Sequence, residues 1–529
     1  MRVSRPLMTS VHGVILLIVL SACTMVGPDF VQPTGDVTQE WIESEDERVK
    51  TELPDYKNWW QVFNDPVLDN LVQKAYEQNL PLRIAGVRVF EARALLGIAV
   101  GEFYPQVQEG FGSAIYNRVS ENAPSSPQSG NADFSFWQAD IGIGASWELD
   151  FWGKFRRAIQ SADANFLSSI AAYDDALVSL TADVASTYVL IRTFEERLKI
   201  AYDNLETQQE SLRIAQARFE AGATSERDVQ QALTQLNGTE AEIPFLETGL
   251  RQTQNAMSIL LGMPPGQLSD MLAGSGGIPR APLEVAVGIP AELLRRRPDI
   301  RSAELQAASQ SALIGVAKAD LYPAFSLTGA FGFLSSDVGG FDLNDLFMWE
   351  SRTATFGPSF QWNILNYGQI TNTVRVQDAR LQELLLNYQN TVLRAQQEVE
   401  DGLVAFLRGQ ERVALLSKGV EAAKRSAELA LIQYREGATD YTTVLTAQQA
   451  LLEQQDRLAS SQGEVPQGLI ALYRALGGGW EIRDGKEFIP PQVKEEMEDR
   501  TNWGGLLTPA AVQKPPDAKP KESIRVPDW

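Results

Sequence analysis

The longest pattern in the sequence is a helical repeat of apolar residues that covers residues 153–221. Apolar side chains recur there every three or four residues, the spacing of a helix packed along one side, and no proline interrupts them. At about 1.5 Å per residue, a helix of this length forms a rod of roughly 100 Å. Helices of globular proteins usually stop after three or four turns, so the pattern predicts an element that bridges a distance.

Just before this helix the pattern changes to alternation. Apolar residues hold the odd positions from Ile141 to Phe151, whereas glycine, serine, glutamate and aspartate hold the even ones. A weaker alternating stretch precedes it at 107–117, and a loop rich in serine, proline, asparagine and glycine separates the two. One apolar and one polar face suit either a half-buried sheet or the wall of a membrane barrel.

The same order of elements returns in the second half of the chain. Leu261-Gly262 recurs as Leu476-Gly477, and residues 147–154 recur as 362–369, each time with an offset of 215 residues. Equal offsets at separated landmarks indicate an internal duplication. A first repeat at 61–262 and a second at 291–477 are joined by a linker rich in glycine and proline at 263–290. The predicted strands are 107–117, 139–151, 324–334 and 355–366, and the predicted long helices are 153–221, 225–261, 369–436 and 440–476.

The N-terminus has the features of a secretory signal. Arg2 and Arg5 precede a short apolar run, and Leu20-Ser21-Ala22-Cys23 resembles the site after which a bacterial lipoprotein is cleaved and acylated. This pattern predicts a signal peptide at 1–22, a lipid anchor on Cys23 and an extended arm at 23–60. The alternative is an ordinary signal peptide with a coincidental cysteine.

Composition excludes several classes of function. The formal net charge is −22, which disfavours nucleic acid and anionic membrane surfaces as partners of a basic face. His12 is the only histidine and Cys23 the only cysteine, so the mature chain lacks the commonest general base and a free thiol. We therefore predict no catalytic residue, no metal site and no cofactor other than the covalent lipid on Cys23. An enzyme carried on a lipid anchor is the weaker alternative.

The strands impose an oligomer if they cross a membrane. About ten tilted residues cross a bilayer, and open sheet edges cannot persist in lipid. Four strands cannot close a barrel, because about eight is the practical minimum. Three copies would supply twelve strands. The soluble alternative is a long coiled coil with a small β-subdomain.

Five segments of the chain resemble outer-membrane efflux proteins of the TolC/OprM type, in their NodT-like lipoprotein branch. The segments are CTMVGPDFVQP at 23–33, WWQVF at 59–63, LDNL at 68–71, LLRRRPDIR at 293–301 and YREGATDYTTVLTAQ at 434–448. The resemblance implies a mainly α protein with membrane β structure. Its fold would be a homotrimeric, twelve-stranded outer-membrane β-barrel with four strands per chain, continued by a long periplasmic α-helical barrel. Residues 478–529 would add an equatorial segment and a tail, and the richness of residues 484–529 in proline, lysine and glutamate predicts that this tail is mobile.

The resemblance also implies where function lies. The helix tips would meet a periplasmic adaptor of an inner-membrane transporter, through Gly222, Ala223, Thr224, Gly437, Ala438 and Thr439. In relatives, rings of side chains just after the second tip close the pore, and alignment on the Tyr-x-x-Gly motif places these rings at Thr442 and Thr446. Because both are threonines here, Asp440, Arg227, Asp228 and Gln231 are substitute gate candidates. All six are otherwise ordinary solvated residues of the helix tips.

The polar strand face would line the lumen. Glu148, Asp150, Gln361 and Asn363 are the expected lumen-facing residues, and the negative charge of Glu148 and Asp150 would favour cations. The resulting prediction is an outer-membrane channel of a tripartite efflux pump, a passive gated exit duct for small molecules in a Gram-negative bacterium. The alternative is a periplasmic coiled-coil scaffold or adaptor lipoprotein without a pore.

Overall fold

The computed structural model describes residues 25–52, 55–120, 134–266, 268–274, 276–291, 296–338 and 342–508. Its strands are β1 (Val49–Lys50), β2 (Val107–Arg118), β3 (Ser135–Leu149), β4 (Val285–Ala286), β5 (Ala324–Ser336) and β6 (Arg352–Gln361). Its α-helices are α1 (Pro66–Gln78), α2 (Leu80–Gly101), α3 (Lys154–Glu220), α4 (Glu226–Leu260), α5 (Ser269–Leu272), α6 (Pro298–Ala319), α7 (Gln369–Arg435), α8 (Tyr441–Ala475) and α9 (Pro491–Arg500).

The four long strands form one antiparallel sheet in the order β2-β3-β5-β6. The pairing places Ile143 beside Phe331 and Glu148 beside Ser326, so the apolar residues of β3, β5 and β6 share one face. Serine, threonine and glutamate share the other face. On β2 the faces are reversed, because Phe111 pairs with Gly142 and therefore lies on the polar side.

The long helices continue the sheet strand by strand. Near the sheet the helices pack in the order α2-α3-α6-α7, which repeats the strand order, and farther away the order is α4-α3-α8-α7. Helices α3 and α7 each contain 67 residues and α4 and α8 each contain 35, with equivalent ends 215 positions apart. The two repeats therefore build the same helical hairpin. Each of the four long helices begins within two residues of its predicted position.

Part of α3 is apolar enough to cross a membrane by length and composition. Among the described residues it is the one helix that passes this test, and 61% of the stretch is buried inside the protein. Phe166, Leu177, Val184 and Tyr188 of this helix belong to the main hydrophobic core. Its apolar side is thus used for packing between helices.

The main core lies around the middle of the rod, where the chain termini wrap around the helices. The N-terminal arm joins the linker through a parallel ladder in which Val49 pairs with Val285. Trp59 is buried and stacks on Tyr473 of α8, with ring centroids 5.3 Å apart.

The C-terminal segment corrects one sequence-based expectation. Residues 484–508 were expected to be part of a mobile tail, but Phe488, Ile489, Met497 and Leu507 are buried in the main core. Arg483 makes a buried ion pair with Asp174 of α3, which fixes the start of this segment. The remainder of the predicted tail, 509–529, lies outside the described residues.

The last strand also differs from its predicted bounds. The alternating pattern predicts 355–366, whereas β6 runs from Arg352 to Gln361. Gln361 pairs with Ala324, the first residue of β5, so the residues after Gln361 have no partner strand on that side. Asn363 therefore follows the strand instead of lying within it.

Candidate functional site

The end of the molecule far from the sheet is built from two equivalent turns. Gly222 after α3 and Gly437 after α7 have positive φ angles of 70° and 77°, a conformation that favours glycine at a helix end. Ala223 N–H donates to the Arg218 carbonyl at 2.8 Å, which closes the first turn. Ala438 N–H closes the second turn in the same way at 2.8 Å, on the Gln433 carbonyl. The six predicted tip residues thus lie together at these turns, namely Gly222, Ala223, Thr224, Gly437, Ala438 and Thr439.

A buried polar cluster joins the two turns, and we call it the tip lock. The Asp228 side chain is only 3% exposed, and its Oδ2 accepts hydrogen bonds from Thr224 Oγ1 and, at 3.3 Å, from the Tyr434 hydroxyl. Tyr434 and Tyr441 are both buried, with ring centroids 5.3 Å apart. Burial raises the pKa of Tyr441 to about 12, so its hydroxyl stays neutral at physiological pH. The tip lock connects a carboxylate of the first repeat to a phenol of the second.

Arg218 reinforces this contact from the first repeat. Its Nη1 donates to the carbonyl oxygens of Tyr434 at 2.6 Å and Arg435 at 3.0 Å, and its guanidinium lies 4.8 Å from the centre of the Tyr434 ring. A cation at the C-terminal end of α7 satisfies carbonyl groups that have no helical partner and complements the helix dipole. Arg218 and Tyr434 are therefore part of the tip lock.

The structure separates the gate candidates into three groups. Asp228 is buried in the tip lock, so the alternative of an ordinary solvated tip residue is wrong for this gate candidate. Asp440 caps α8 by accepting from Thr443 N–H at 3.1 Å. The remaining four candidates lie near the turns. Thr442 and Thr446 are exposed on α8, one helical turn apart. On α4, Arg227 is exposed and Gln231 is half-buried.

Sequence reasoning missed Tyr434 and Arg218 as site residues. Tyr434 is equivalent to Phe219 of the first repeat by the 215-residue offset, so the second repeat carries a hydroxyl that the first repeat lacks at this position. Tyr434 is 1% exposed, whereas Phe219 is 43% exposed. The difference between phenylalanine and tyrosine at equivalent positions is the one sequence signal for this residue, whereas its burial and its partner Asp228 are visible only in the fold.

The foot of the sheet holds the second group of predicted residues. A cleft of about 180 Å³ is lined by all four expected lumen-facing residues, Glu148, Asp150, Gln361 and Asn363. Lys154 also lines it, with its Nζ 2.9 Å from Asp320 Oδ1 and 4.0 Å from Glu148 Oε1. Both carboxylates share one ammonium group, so the cleft keeps a net negative charge.

Asp150 has a different role from the predicted one. Its carboxylate is 7% exposed and accepts from the backbone N–H groups of Phe155 and Arg156 at 3.1 Å each. The Arg156 side chain adds an ion pair at 2.8 Å. Asp150 therefore fixes the start of α3 rather than presenting a free charge to the lumen, because its oxygens are occupied by the helix end.

The predicted lipid anchor, Cys23, lies outside the described residues. Two residues further on, Met25 lies against Gly153, and Val26 N–H donates to the Trp152 carbonyl at 3.0 Å. Arg157 of α3 holds the following residues by binding the Val26 carbonyl and Asp29. The described arm thus begins at the foot of the sheet.

Comparison with known proteins identifies the family. Residues 71–263 and 289–478 match the family model described as outer membrane efflux protein. The chain belongs to this family. The efflux protein is 32% identical over 474 residues to the solvent efflux pump outer membrane protein SrpC of Pseudomonas putida, covering 88% of this chain and 97% of SrpC. It is 31% identical over 469 residues to nodulation protein T of Rhizobium leguminosarum bv. trifolii, covering 88% of this chain and 96% of nodulation protein T.

Solved structures agree with this assignment. The outer-membrane channel OprN is 33% identical, with a TM-score of 0.79 over 86% of this chain and 99% of OprN. The outer membrane channel CmeC of Campylobacter jejuni is 26% identical, with a TM-score of 0.78 over 90% of this chain and 98% of CmeC. The efflux protein is therefore an outer-membrane channel that extends into the periplasm, with the predicted trimeric β-barrel and helical barrel. The prediction of a duct is confirmed, and the alternative of a scaffold without a pore is set aside.

Proposed function

We propose that this efflux protein is the passive, gated exit duct of a tripartite pump. Small molecules enter from an inner-membrane transporter through a periplasmic adaptor that binds the helix tips, and they leave through the β-barrel. The duct performs no chemistry, and the transporter supplies the energy. Relatives are named for solvent, toluene, antibiotic and pyoverdine export, so one duct architecture serves unlike compounds. We infer that selection among compounds is made mainly by the transporter.

The tip lock is the observation that carries the gating proposal. For the periplasmic end to open, α7 and α8 must move away from α3 and α4, because these helices converge at the tip. Such a movement breaks the bonds of Asp228 to Tyr434 and those of Arg218 to the end of α7. The closed state is held by these contacts between repeats, once in each protomer, and Thr442 and Thr446 line the entrance beside them.

The energetic scale is sufficient for a gate. A hydrogen bond to a charged group contributes about 1.5–3 kcal/mol when both partners are buried. If each of three protomers lost only about 1 kcal/mol of closed-state stability, the open-to-closed ratio would rise by roughly 100-fold, because about 1.4 kcal/mol corresponds to a factor of ten.

Tyr434→Phe tests this proposal by removing one hydroxyl from each protomer. We expect longer and larger openings in single-channel recordings, because Asp228 loses its partner from the second repeat. Tyr202→Phe is the matched control, since Tyr202 donates to Glu247 at 3.1 Å within the first repeat. The gating proposal fails if Tyr434→Phe and Asp228→Asn trimers both open as rarely as the wild type.

The arm supports acylation of Cys23. The described arm begins at Met25, two residues after Cys23 in the sequence, and Met25 lies at the foot of the sheet, where the barrel leaves the membrane. Acyl chains attached there reach the inner leaflet directly, and each buried CH₂ contributes about 0.8 kcal/mol to membrane binding. Intact-mass measurement of the mature protein tests this. The Cys23→Ser variant is the reference without an acyl group. If the wild-type mass differs from that of this variant only by the change of side chain, the anchor is rejected.

A further inference from the structure

The apolar face of the sheet is long enough to span the apolar band of a membrane. At a strand tilt of about 40° and about 3.4 Å per residue, ten positions rise about 26 Å, close to the height of the apolar band of a membrane barrel. Pairs of residues ten positions apart span a band of this height on the apolar face of three strands, and each pair is shifted by two residues from the pair on the neighbouring strand. The pairs are Trp137 with Trp147 on β3, Phe325 with Ser335 on β5, and Arg352 with Trp362 at β6 and just beyond it.

The segment that precedes β6, residues 342–351, lies at the outer end of this band, and we call it the rim segment. It is held by residues that the strand register places on the apolar face. Ser335 Oγ donates to the Asp342 carbonyl at 2.8 Å, and the Phe333 ring lies 6.4 Å from the ring of Phe347. Both contacts place the rim segment against the outer wall of the barrel, on the side that faces lipid.

The rim segment exposes three consecutive large apolar side chains. Phe347 is 72% exposed, Met348 53% and Trp349 64%. A contiguous apolar patch of this kind is unfavourable in water and marks an interaction surface. Tryptophan is also the residue that membrane proteins concentrate where apolar and aqueous phases meet.

Part of the backbone of the rim segment is hydrogen-bonded within the segment itself. Two 3₁₀ turns are closed by Met348 N–H on the Asp345 carbonyl at 2.9 Å and by Ser351 N–H on the Met348 carbonyl at 3.1 Å. Ser351 Oγ donates to the Asp345 carbonyl as well, at 2.6 Å. Irregular backbone can enter a lipid phase only when its polar groups are paired in this way.

Arg352 sets the depth of the rim segment. By register it lies on the apolar face beside Phe333, and its guanidinium lies 4.4 Å from the centre of the Trp349 ring. A guanidinium on the lipid-facing wall is costly within hydrocarbon but not at the headgroup level. The adjacent Trp349 therefore lies just below the headgroups.

We propose that the rim segment is a membrane-interface anchor, which inserts Phe347, Met348 and Trp349 into the outer leaflet beside the barrel. The partner is a lipid surface, and insertion is driven by apolar burial. Charge attraction is not the driving force, because Asp342, Asp345 and Glu350 belong to the same segment. The rim segment fixes the height of the outer rim of the barrel in the bilayer.

Tryptophan fluorescence of the full-length trimer in phosphatidylcholine vesicles tests this proposal. The contribution of Trp349 is obtained as the difference between the wild type and Trp349→Phe. We expect blue-shifted emission that is quenched several-fold more by phosphatidylcholine brominated near the start of its acyl chains than by aqueous iodide. Adding anionic phosphatidylglycerol should leave this ratio unchanged.

Trp503→Phe is the matched control, because Trp503 packs against the main core in the C-terminal segment. Its difference spectrum should respond little to brominated lipid. A Trp349 contribution quenched by iodide and not by brominated lipid overturns the proposal. Protection from both quenchers overturns it too, because it means that protein covers the patch. All variants are first checked for trimer formation, and Phe347→Ser should shift Trp349 emission towards that of water.

Discussion

At the scale of single residues, the foot of the sheet places one lysine between two carboxylates. Lys154 neutralises part of the charge of Glu148 and Asp320, and all three side chains are between 32% and 47% exposed. Because the Asp150 carboxylate is bonded to the start of α3, Glu148 and Asp320 supply the free negative charge in this cleft. The ion preference of the duct at this level is therefore set by the balance of three side chains per protomer.

Lys154→Gln is expected to make the channel more cation-selective. For charges about 15 Å from a monovalent ion, the loss of three positive charges changes the energy of that ion by about 0.8 kcal/mol in unscreened water, a roughly fourfold effect on its permeability. The reversal potential in a gradient of dilute KCl measures this. Lys50→Gln is the control, since Lys50 pairs with Glu284 at the arm-linker ladder. An unchanged reversal potential for Lys154→Gln would place the cleft outside the ion path.

Asp175 of α3 predicts a pH dependence of stability. Burial raises the pKa of its carboxyl to about 6. Repulsion by Asp299 and Glu398 also raises this pKa, whereas attraction by Arg297 and Arg474 lowers it. Since the folded pKa lies above the unfolded one, the stability that this group provides is present below about pH 4 and is lost as the pH rises through 6. The loss is at most about 3 kcal/mol per protomer.

Asp175→Asn should therefore raise the melting temperature of the detergent-solubilised trimer at pH 7.5 and have little effect at pH 4. Intrinsic-fluorescence melting curves at both pH values measure the difference. A destabilised variant at pH 7.5 would show that the charged form of Asp175 is favoured in the folded protein.

At the scale of elements, glycine turns made the long helices predictable. Gly222 and Gly437 end α3 and α7 next to their predicted positions, because positive φ angles stop a helix regardless of tertiary context. Strand ends were less predictable, since β6 ends where β5 has no residue left to pair. The tip lock could not be predicted, because Asp228 and Tyr434 are 206 positions apart and only the fold brings them together.

The C-terminal segment shows a further limit of sequence patterns. Its composition is rich in proline, lysine and glutamate, which is typical of a mobile tail. Its few apolar side chains, among them Phe488 and Ile489, are nevertheless buried, because α2 and α3 offer a surface to cover. The burial of these side chains depends on tertiary contacts, which the periodicity of apolar residues in the sequence does not predict.

Arg483→Ala should destabilise this segment. It removes one partner of the buried pair with Asp174, whose side chain is 3% exposed, and such a loss costs about 3–5 kcal/mol. Thermal unfolding and limited proteolysis near residue 490 measure the effect. Arg197→Ala is the control, because Arg197 pairs at 2.6 Å with the partly exposed Asp456, where a loss of about 1 kcal/mol or less is expected. Equal melting temperatures for both variants would contradict the assigned role of Arg483.

At the scale of the whole molecule, the trimer completes what one chain leaves open. The sheet has free edges at β2 and β6, and the helical layer continues the same order, so barrel closure joins β6 of one protomer to β2 of the next. On the apolar face β6 carries exposed Phe356 and Phe360, whereas β2 carries Gly110 and Gly112. Large side chains thus meet small ones at the boundary between protomers.

Single-channel recording of the purified, acylated trimer in a planar lipid bilayer is the most direct test of a duct held closed at its periplasmic end. We predict small, rare and cation-preferring openings for the wild type, and frequent openings for Tyr434→Phe. If a well-folded trimer and its Tyr434→Phe variant both fail to conduct, the account of a duct closed by the tip lock is contradicted.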